Sequence, residues 1–354
     1  MRNILILGGT GAMGTPLSAI LSKQGENVFV TSRQKQGLVD GINYLQGNAH
    51  EFGFMNELLK KQWDAIVDFM NYGSFEFEQR YRKILSSTKH YLFLSSARVY
   101  ADSVEPITEK SERLLDISPD KDYLSTDEYA LHKAREENML INSGYDNFTI
   151  IRPYITYNDE RLQLGVLEKE MWAYRLLKHR TILFSKDIES HITTLTYGAD
   201  VAYCISRLIN NDKAYGEIFH ITTDQYIKWG EVLNLYCDVY KKVTGETAKI
   251  KLIDKALNLD NDIAKYQVLY DRYYDRIFDN SKILSIVQDF SFTDIKSGLS
   301  RCFKTFLTTP SFKYISLSDE EKRNLITGEY LHLGEISGKK NKIRYLIGLS
   351  KRML

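Results

Sequence analysis

A glycine-rich turn close to the amino terminus constrains the fold of this chain more than any other stretch. The apolar run Ile4–Leu7 precedes the turn, and its glycines recur every third residue, at Gly8, Gly11 and Gly14. A tight turn between a strand and a helix brings backbone N–H groups to the helix N-terminus, where the aligned peptide dipoles favour an anion. The spacing therefore predicts the pyrophosphate-binding turn of a dinucleotide site, formed by Gly8, Thr10, Gly11, Ala12, Met13 and Gly14.

Short apolar runs alternate with amphipathic runs through the first half of the chain. The predicted strands are Asn3–Leu7, Val28–Thr31, Ala65–Asp68, Tyr91–Leu94 and Phe148–Arg152. The predicted helices between them are Pro16–Gln24, Phe75–Leu85 and Asp127–Ile141. This alternation predicts an α/β fold, a Rossmann-type doubly wound parallel sheet with the glycine turn at its carboxyl edge.

The second half is richer in helical patterns, at Leu164–Leu177, Tyr197–Ile209 and Lys228–Thr244. We expect a smaller, helix-rich substrate domain at the carboxyl-terminal side. The predicted division gives the dinucleotide-binding domain residues 1–152 and about 193–222. The substrate domain takes residues 153–192 and 223–310, and a carboxyl-terminal extension takes 311–354.

Within the extension, Ser318 and the acidic residues after it predict the start of a helix. The last segment, Lys339–Leu354, is basic with apolar residues interleaved. Such a segment can lie on a membrane surface. Packing on the body of the protein or on a partner subunit is the favoured interpretation, and no firm membrane association is expected.

The bulk composition excludes several classes of protein. The 354 residues carry a net charge of +1, so the charge balance gives no sign of a nucleic-acid partner. The three cysteines, Cys204, Cys237 and Cys302, are odd in number and scattered, which is typical of free thiols in a reducing compartment. No apolar run is long enough to span a membrane, and the histidine spacing indicates no metal site. These observations predict a cytoplasmic protein.

A second group of residues points to proton transfer. Ser96 follows an apolar strand pattern, and Tyr129 and Lys133 lie further along the chain at Tyr-x-x-x-Lys spacing. Residues four apart share one face of a helix, so an ammonium at Lys133 favours the phenolate form of Tyr129 that a general base needs. A serine hydroxyl at the adjacent strand end can bind the same substrate oxygen. Together with the glycine turn, this set predicts hydride exchange with a nicotinamide.

These motifs make the chain resemble the extended short-chain dehydrogenases/reductases, in the NAD(P)-dependent nucleotide-sugar epimerase/dehydratase branch. The resemblance covers roughly residues 1–305. It is carried by Gly8-x-x-Gly11-x-x-Gly14, Ser95-Ser96-Ala97-x-Val99-Tyr100, Tyr129-x-x-x-Lys133, Ile150-Ile151-Arg152-Pro153, Tyr197-x-x-Asp200-Val201-Ala202 and Gly216–Ile221.

The resemblance implies a role for each matching residue. Tyr129 would be the catalytic acid and base, Lys133 its cationic partner and ribose ligand, and Ser96 the hydroxyl that orients the substrate oxygen. Ser95 is the less favoured alternative to Ser96. The resemblance also implies a nucleoside-diphosphate sugar as substrate, a place in polysaccharide biosynthesis and a homodimer.

The residue pair after Ser96 bears on the reaction. Family members that remove water carry Asp-Glu there, whereas this chain has Ala97 and Arg98. Dehydration is therefore disfavoured. Reduction of a 4-keto sugar nucleotide is favoured, and epimerisation through a transient ketone stays open. A remoter alternative is a non-catalytic cofactor-sensing or RNA-binding protein built on the same fold.

The end of the second predicted strand indicates the cofactor. It offers Ser32 and Arg33 in place of the carboxylate that binds the ribose 2′-hydroxyl in NAD sites. An arginine there suits a 2′-phosphate, so NADP(H) is favoured and NAD(H) remains possible. Asn48 is expected beside the adenine. The candidate substrate contacts are Arg98, Tyr154, Arg161 and Arg276.

Overall fold

A computed structural model describes residues 1–259, 265–288 and 290–353, with side chains as far as residue 350. Its strands are β1 (Asn3–Leu7), β2 (Asn27–Ser32), β3 (Gly37–Val39), β4 (Ile42–Gln46), β5 (Ala65–Asp68), β6 (Tyr91–Leu94), β7 (Phe148–Pro153), β8 (Thr156–Tyr157), β9 (Gln163–Leu164), β10 (Leu167–Glu168), β11 (Ile182–Ser185), β12 (Ile192–Thr193), β13 (Thr196–Tyr197), β14 (Glu217–Ile221), β15 (Ile227–Lys228) and β16 (Ile250–Ile253).

The helices follow the same chain order. They are α1 (Gly14–Lys23), α2 (Phe52–Leu58), α3 (Ser74–Glu78), α4 (Tyr81–Ser86), α5 (Leu114–Ile117), α6 (Lys121–Leu124), α7 (Tyr129–Ile141), α8 (Lys169–Leu177), α9 (Lys186–Glu189), α10 (Gly198–Leu208), α11 (Trp229–Thr244), α12 (Lys265–Gln267), α13 (Ser281–Leu284), α14 (Ile295–Thr308), α15 (Leu317–Thr327) and α16 (Lys339–Met353). A π-helical turn covers Val268–Arg272, and short 3₁₀ turns cover Ala97–Val99, Ala256–Asn258 and Leu333–Glu335.

Eight strands of the described chain form one sheet, in the order β14-β7-β6-β5-β1-β2-β4-β3. Each neighbouring pair is parallel except β3 with β4. The strand order runs outward from β1 in both directions, so the sheet has a switch point between β1 and β5. Ligands of doubly wound sheets bind at the carboxyl ends of the strands at such a point, where this chain has its glycine turn. The predicted fold class is confirmed.

Each face of the sheet buries alternate residues of a strand, because successive side chains of a strand point to opposite sides. On β1, Ile4 and Ile6 pack with Leu17 of α1 and Ile205 of α10. The alternate residues, among them Leu5, pack in a second apolar cluster whose members include Phe77 of α3, Ile84 of α4 and Leu140 of α7. Helices therefore cover both faces of the sheet, as short and wholly apolar parallel strands require.

The chain forms two compact units. The first contains Met1–Asn158, Thr194–Tyr226 and Arg276–Ile295, and the second contains Asp159–Thr193, Ile227–Asp275 and Lys296–Leu354. The assignment of a cofactor to one domain and a substrate to the other stays a prediction.

The carboxyl-terminal residues are built into the second unit. Arg175 on α8 is fully buried, and its guanidinium donates to Glu320 Oε2 at 2.8 Å and to Asn324 Oδ1 at 2.9 Å, both on α15. A buried guanidinium without these partners is strongly destabilising. Residues after 310 are thus part of the fold of this unit.

Several predicted elements differ in detail. The helix predicted over Phe75–Leu85 is the pair α3 and α4. The helix predicted from Leu164 begins only at Lys169, since β9 and β10 first form a hairpin whose turn contains Gly165 at a φ of +60°. The N-cap of α15 is Ser316, whose hydroxyl accepts from the Asp319 amide, and not Ser318.

Strand β4 was missed because only Ile42 among its residues is buried, and the others are partly or fully exposed and mixed in polarity. Among the described residues, every helix is too short or too polar to cross a membrane.

Candidate active site

The glycine turn connects β1 to α1, and two of its glycines are required by the chain's own packing. Gly8 has a φ of +65°, and a Cβ there would lie 2.9 Å from the sulfur of Met70. A Cβ on Gly14 would lie 2.5 Å from the Cα of Gly9. A Cβ on Gly11 would meet no atom within 4 Å, so this glycine borders open space. Of the three spaced glycines, only Gly11 therefore has free space beside its backbone.

The N-terminus of α1 suits an anion placed in that space. Met13 is the N-cap and its side chain makes no capping hydrogen bond, while Thr10 and Gly11 are exposed. The first N–H groups of a helix have no partner within the helix, so an uncapped end is available to phosphate oxygens. The residues Gly8, Thr10, Gly11, Ala12, Met13 and Gly14 therefore fit the pyrophosphate of a dinucleotide.

The carboxyl end of β2 holds the two residues that were predicted to select the cofactor. The Ser32 hydroxyl accepts from the amides of Gln34 and Lys35, at 3.2 and 3.0 Å, and so shapes the loop that follows. Arg33 is exposed. The side chain of Asn48 accepts from the amide of His50 at 3.2 Å and orders the loop after β4.

Ser96 and Tyr129 are joined through Arg98. The Ser96 hydroxyl accepts from the Arg98 amide at 3.2 Å and caps the 3₁₀ turn after β6. The Arg98 guanidinium lies 5.3 Å from the centre of the Tyr129 ring and 2.6 Å from a carboxylate oxygen of Glu128. Tyr129 is the first residue of α7 and is half-buried. A cation held by Glu128 thus stands where dehydratase-type members of the resembled family carry an acid.

Ser95 has a different environment from Ser96. Its hydroxyl donates to Glu137 Oε1 at 2.5 Å, and Glu137 has no exposed surface. Glu137 also accepts two hydrogen bonds from Arg152 at 2.7 Å and one from Arg113 at 3.0 Å. Burial alone raises the pKa of Glu137, but the charge and hydrogen bonds of Arg152 hold it below its ordinary value. Ser95 therefore belongs to a buried ion-pair network that ties α7 to β7.

Lys133 is buried, with 1% of its surface exposed. Its ammonium donates to Glu136 Oε2 at 3.0 Å and to the Met70 carbonyl at 3.5 Å. The other carboxylate oxygen of Glu136 lies 3.1 Å from Nδ1 of His132. Glu136 has no exposed surface, so the lysine charge is balanced inside the protein. Glu136 was not predicted as part of the site, although its position three residues after Lys133 on one helix is a detectable signal.

Asp68 is a second buried carboxyl near Lys133, at the carboxyl end of β5. It accepts from the Tyr91 hydroxyl and from the Met70 amide, each at 2.9 Å. Burial raises the pKa of Asp68 to about 6, because its effect is larger than the lowering by these hydrogen bonds and by the charge of Lys133. Sequence reasoning missed this group too. A charged residue that ends an otherwise apolar parallel strand was the available signal.

The predicted substrate contacts lie in different surroundings. Arg276 is fully buried and donates to the carbonyls of Ala101 and Tyr100, at 2.8 and 3.0 Å, so it supports the chain after the 3₁₀ turn. Tyr154 is buried with its ring 5.4 Å from that of Phe278. Arg161 belongs to the second unit, is exposed and lies 3.6 Å from Glu168. Their roles toward a substrate stay predictions.

Comparison with solved structures places this arrangement in a known fold. The chain superposes on an epimerase from Methanothermobacter thermautotrophicus with a TM-score of 0.67 at 14% identity, covering 87% of this chain and 92% of the other. UDP-glucuronic acid 4-epimerase of Bacillus cereus, solved with UDP-glucuronic acid and NAD, gives 0.65 at 13% identity, with 86% and 99% covered. The chain has the fold of the nucleotide-sugar epimerases and dehydratases. A dTDP-glucose 4,6-dehydratase of Bacillus anthracis with this fold, solved with NAD, also gives 0.65, at 14% identity over 87% and 97%.

Sequence comparison finds a relative that is named as a stem-loop binding protein and not as an epimerase or dehydratase. The chain is 26% identical over 242 residues to the chloroplast stem-loop binding protein of 41 kDa b from Arabidopsis thaliana. The match covers 64% of this chain and spans 60% of the length of that relative. No protein-family model matches the chain. The fold expected from the motifs is confirmed by these three solved structures, which are 13–14% identical to this chain.

Proposed function

We propose that this protein is a nicotinamide-dependent enzyme that reduces a 4-keto nucleoside-diphosphate sugar. The observation that carries the proposal is the continuity between the glycine turn and the residues of α7. The sulfur of Met70 would lie 2.9 Å from a Cβ on Gly8 and so borders the turn, and the Met70 carbonyl accepts from Lys133. On the same helix as Lys133, Tyr129 lies under the guanidinium of Arg98, whose amide binds Ser96. The residues that we assign to phosphate binding and to proton transfer are therefore adjacent at one edge of the sheet.

The chain's own residues provide the acid–base part of such a reaction. A nicotinamide cofactor held by the glycine turn and Lys133 would supply the hydride that reduces the carbonyl carbon of the substrate. Tyr129 donates its hydroxyl proton to the carbonyl oxygen, and the ketone becomes an alcohol. Ser96 is placed to donate a hydrogen bond to that same oxygen. Tyr129 then regains a proton from solvent, so one hydride and one proton are consumed in each turnover.

We assign NADP(H) as the favoured cofactor. The end of β2 offers the exposed Arg33 and no carboxylate, which suits a 2′-phosphate. NAD(H) is the alternative, supported by the two similar structures that contain NAD. Polysaccharide biosynthesis is the setting that such a substrate implies.

The test measures oxidation of NADPH and of NADH by the purified chain with a panel of 4-keto sugar nucleotides. We expect stoichiometric consumption of the reduced cofactor and loss of turnover by about 10²–10⁴-fold in Tyr129→Phe, with cofactor binding retained. Tyr226→Phe, at an exposed position, is the control. Full activity in Tyr129→Phe would contradict the assignment of the acid.

Epimerisation is the second candidate, supported by the fold shared with two epimerases. It predicts interconversion of sugar nucleotides with tightly held NAD and no net cofactor consumption. A third candidate, binding of an RNA stem-loop, is supported by the name of the curated relative. It predicts hairpin binding that is unchanged in Tyr129→Phe.

A further inference from the structure

Helix α16 already has a face that packs on its own unit. Tyr345 is 1% exposed, and its hydroxyl accepts from the side chain of Asn324 at 2.9 Å and from the Leu331 amide at 3.0 Å. Leu349, four residues later on the same face, packs against the same small apolar cluster, which includes Ile336. This face packs on the body of the protein, as the sequence predicted for the helix.

A second apolar surface on α16 lies outside this packed face, and Ile347 at its border also lines a cavity with Leu317 and Ile336. Ile343, Leu346 and Ile347 are 58%, 49% and 48% exposed. Their spacing of three and four residues places them side by side on one ridge of the helix. Single exposed apolar residues are ordinary, but a ridge of three on a helix that is already anchored elsewhere is typical of an interaction site.

Basic side chains border this ridge. Lys339 and Lys340 precede Ile343 by four and three residues, and Arg344 precedes Ile347 by three. These three basic residues are exposed. The helix has six basic residues and no acidic one between 339 and 353, the others being Lys342, Lys351 and Arg352.

We propose that α16 docks the protein on an anionic membrane surface, lying in the plane of the interface. Clusters of four to eight basic residues on an amphipathic helix attract anionic headgroups, while an apolar ridge enters the boundary between headgroups and acyl chains. Each signal alone gives weak binding, and the helix presents both. The proposal does not depend on the proposed enzymatic function.

The composition of the ridge favours lipid over the other partner that a basic helix attracts. Proteins bind single-stranded RNA by stacking bases on aromatic rings or on guanidinium planes. Ile343, Leu346 and Ile347 have no π face for such stacking. An acyl boundary, in contrast, accepts aliphatic side chains directly.

The experiment is co-sedimentation of the full chain with phosphatidylcholine vesicles, with and without phosphatidylglycerol. We expect binding only to the vesicles with phosphatidylglycerol, weakened by added salt. Lys340→Gln with Arg344→Gln should lower the partition coefficient by about fivefold for each charge removed. Ile343→Ser with Ile347→Ser should lower it further. The control, Lys241→Gln with Lys242→Gln, removes the same charge at exposed positions of α11 and should leave binding unchanged.

All the altered side chains are exposed, so each variant should keep the fold. Circular dichroism of each variant checks this. Equal binding to neutral and anionic vesicles, or no binding to either, would overturn the proposal. Binding of a hairpin RNA would also overturn it, if the same variants abolish that binding and the chain binds no vesicles. Dissociation of a dimer by the ridge variant, again without vesicle binding, would assign the surface to a second copy of the chain.

Discussion

The ammonium of Lys133 lies 3.0 Å from a carboxylate oxygen of Glu136, and both side chains are buried. A lysine four residues after a catalytic tyrosine acts through its positive charge. Here a carboxylate on the same helix balances much of that charge, and the buried Asp68 lies nearby. The second cation beside the tyrosine, Arg98, is paired with Glu128. The charge that Tyr129 experiences therefore depends on glutamates as much as on the lysine of the motif.

Replacing Glu136 should move the pH dependence of turnover. In Glu136→Gln the charge of Lys133 loses its buried counter-charge, so more positive charge is left uncompensated on the helix that carries Tyr129. We expect the pH profile of kcat, measured in the alcohol-oxidising direction, to move toward lower pH. His132, which shares the Glu136 carboxylate, and Asp68 are the other titratable groups of this cluster.

The control for this experiment is Glu78→Gln, at an exposed position of α3. It should leave the profile unchanged. A profile that moves upward in Glu136→Gln, or one that keeps its position while only kcat falls, would show that Glu136 does not act through the charge of Lys133.

Replacing Ser96 should affect turnover, whereas replacing the adjacent Ser95 should affect stability. Ser96→Ala should lower kcat by at least about tenfold with little change in unfolding free energy, since this hydroxyl is assigned to the substrate oxygen. Ser95→Ala should instead destabilise the fold by about 2 kcal/mol, because Glu137 loses a hydrogen bond inside a buried network. Urea unfolding and initial rates, measured on both variants, separate the two effects. The assignment fails if Ser95→Ala loses turnover while its stability is unchanged.

The buried carboxyl of Asp68 should make stability depend on pH. Its pKa is about 6 in the folded protein against an ordinary value of 3.8, so the folded state holds the proton more tightly than the unfolded state. Stability contributed by the protonated carboxyl is complete below about pH 4 and is lost as the pH rises to about 6, by up to about 3 kcal/mol.

Asp68→Asn removes this titration with little change of shape. The difference in unfolding free energy, variant minus original chain, should therefore rise between about pH 4 and pH 6 and stay level above pH 6. Denaturant titrations across this range provide the measurement. A difference between the two proteins that is constant with pH, or that falls, contradicts the raised pKa.

Arg33 should discriminate between the two cofactors. We expect Arg33→Ala to weaken NADPH binding by about tenfold, equivalent to about 1.4 kcal/mol, while NADH binding stays the same. Arg33→Lys should restore part of the difference, and Lys23→Gln at an exposed position of α1 is the control for overall charge. Equal loss of both cofactors would assign Arg33 to adenine stacking and not to a 2′-phosphate.

Much of the fold was predictable because it depends on local pattern. Parallel strands buried on both faces are short and wholly apolar, so β1, β5 and β6 were predicted with the bounds that the structure gives. Strand β4 was not, because it lies between β2 and the edge strand β3, where residues of mixed polarity stay partly exposed and break the apolar run. The hairpin β9–β10 was missed because its apolar residues also fit helical spacing, and Gly165 decides between the two.

The candidate site divides in the same way. Sequence alone determined the glycine turn, Ser96, Tyr129 and Lys133, because these residues lie at fixed spacings along single elements. Only the tertiary structure decided what surrounds them. Glu137 on α7 and Arg152 on β7 meet in a buried ion pair, and the Ser95 hydroxyl donates to the same carboxylate. Burial, which no spacing encodes, turns Asp68 into a carboxyl with a pKa of about 6 and makes Glu136 the counter-charge of Lys133.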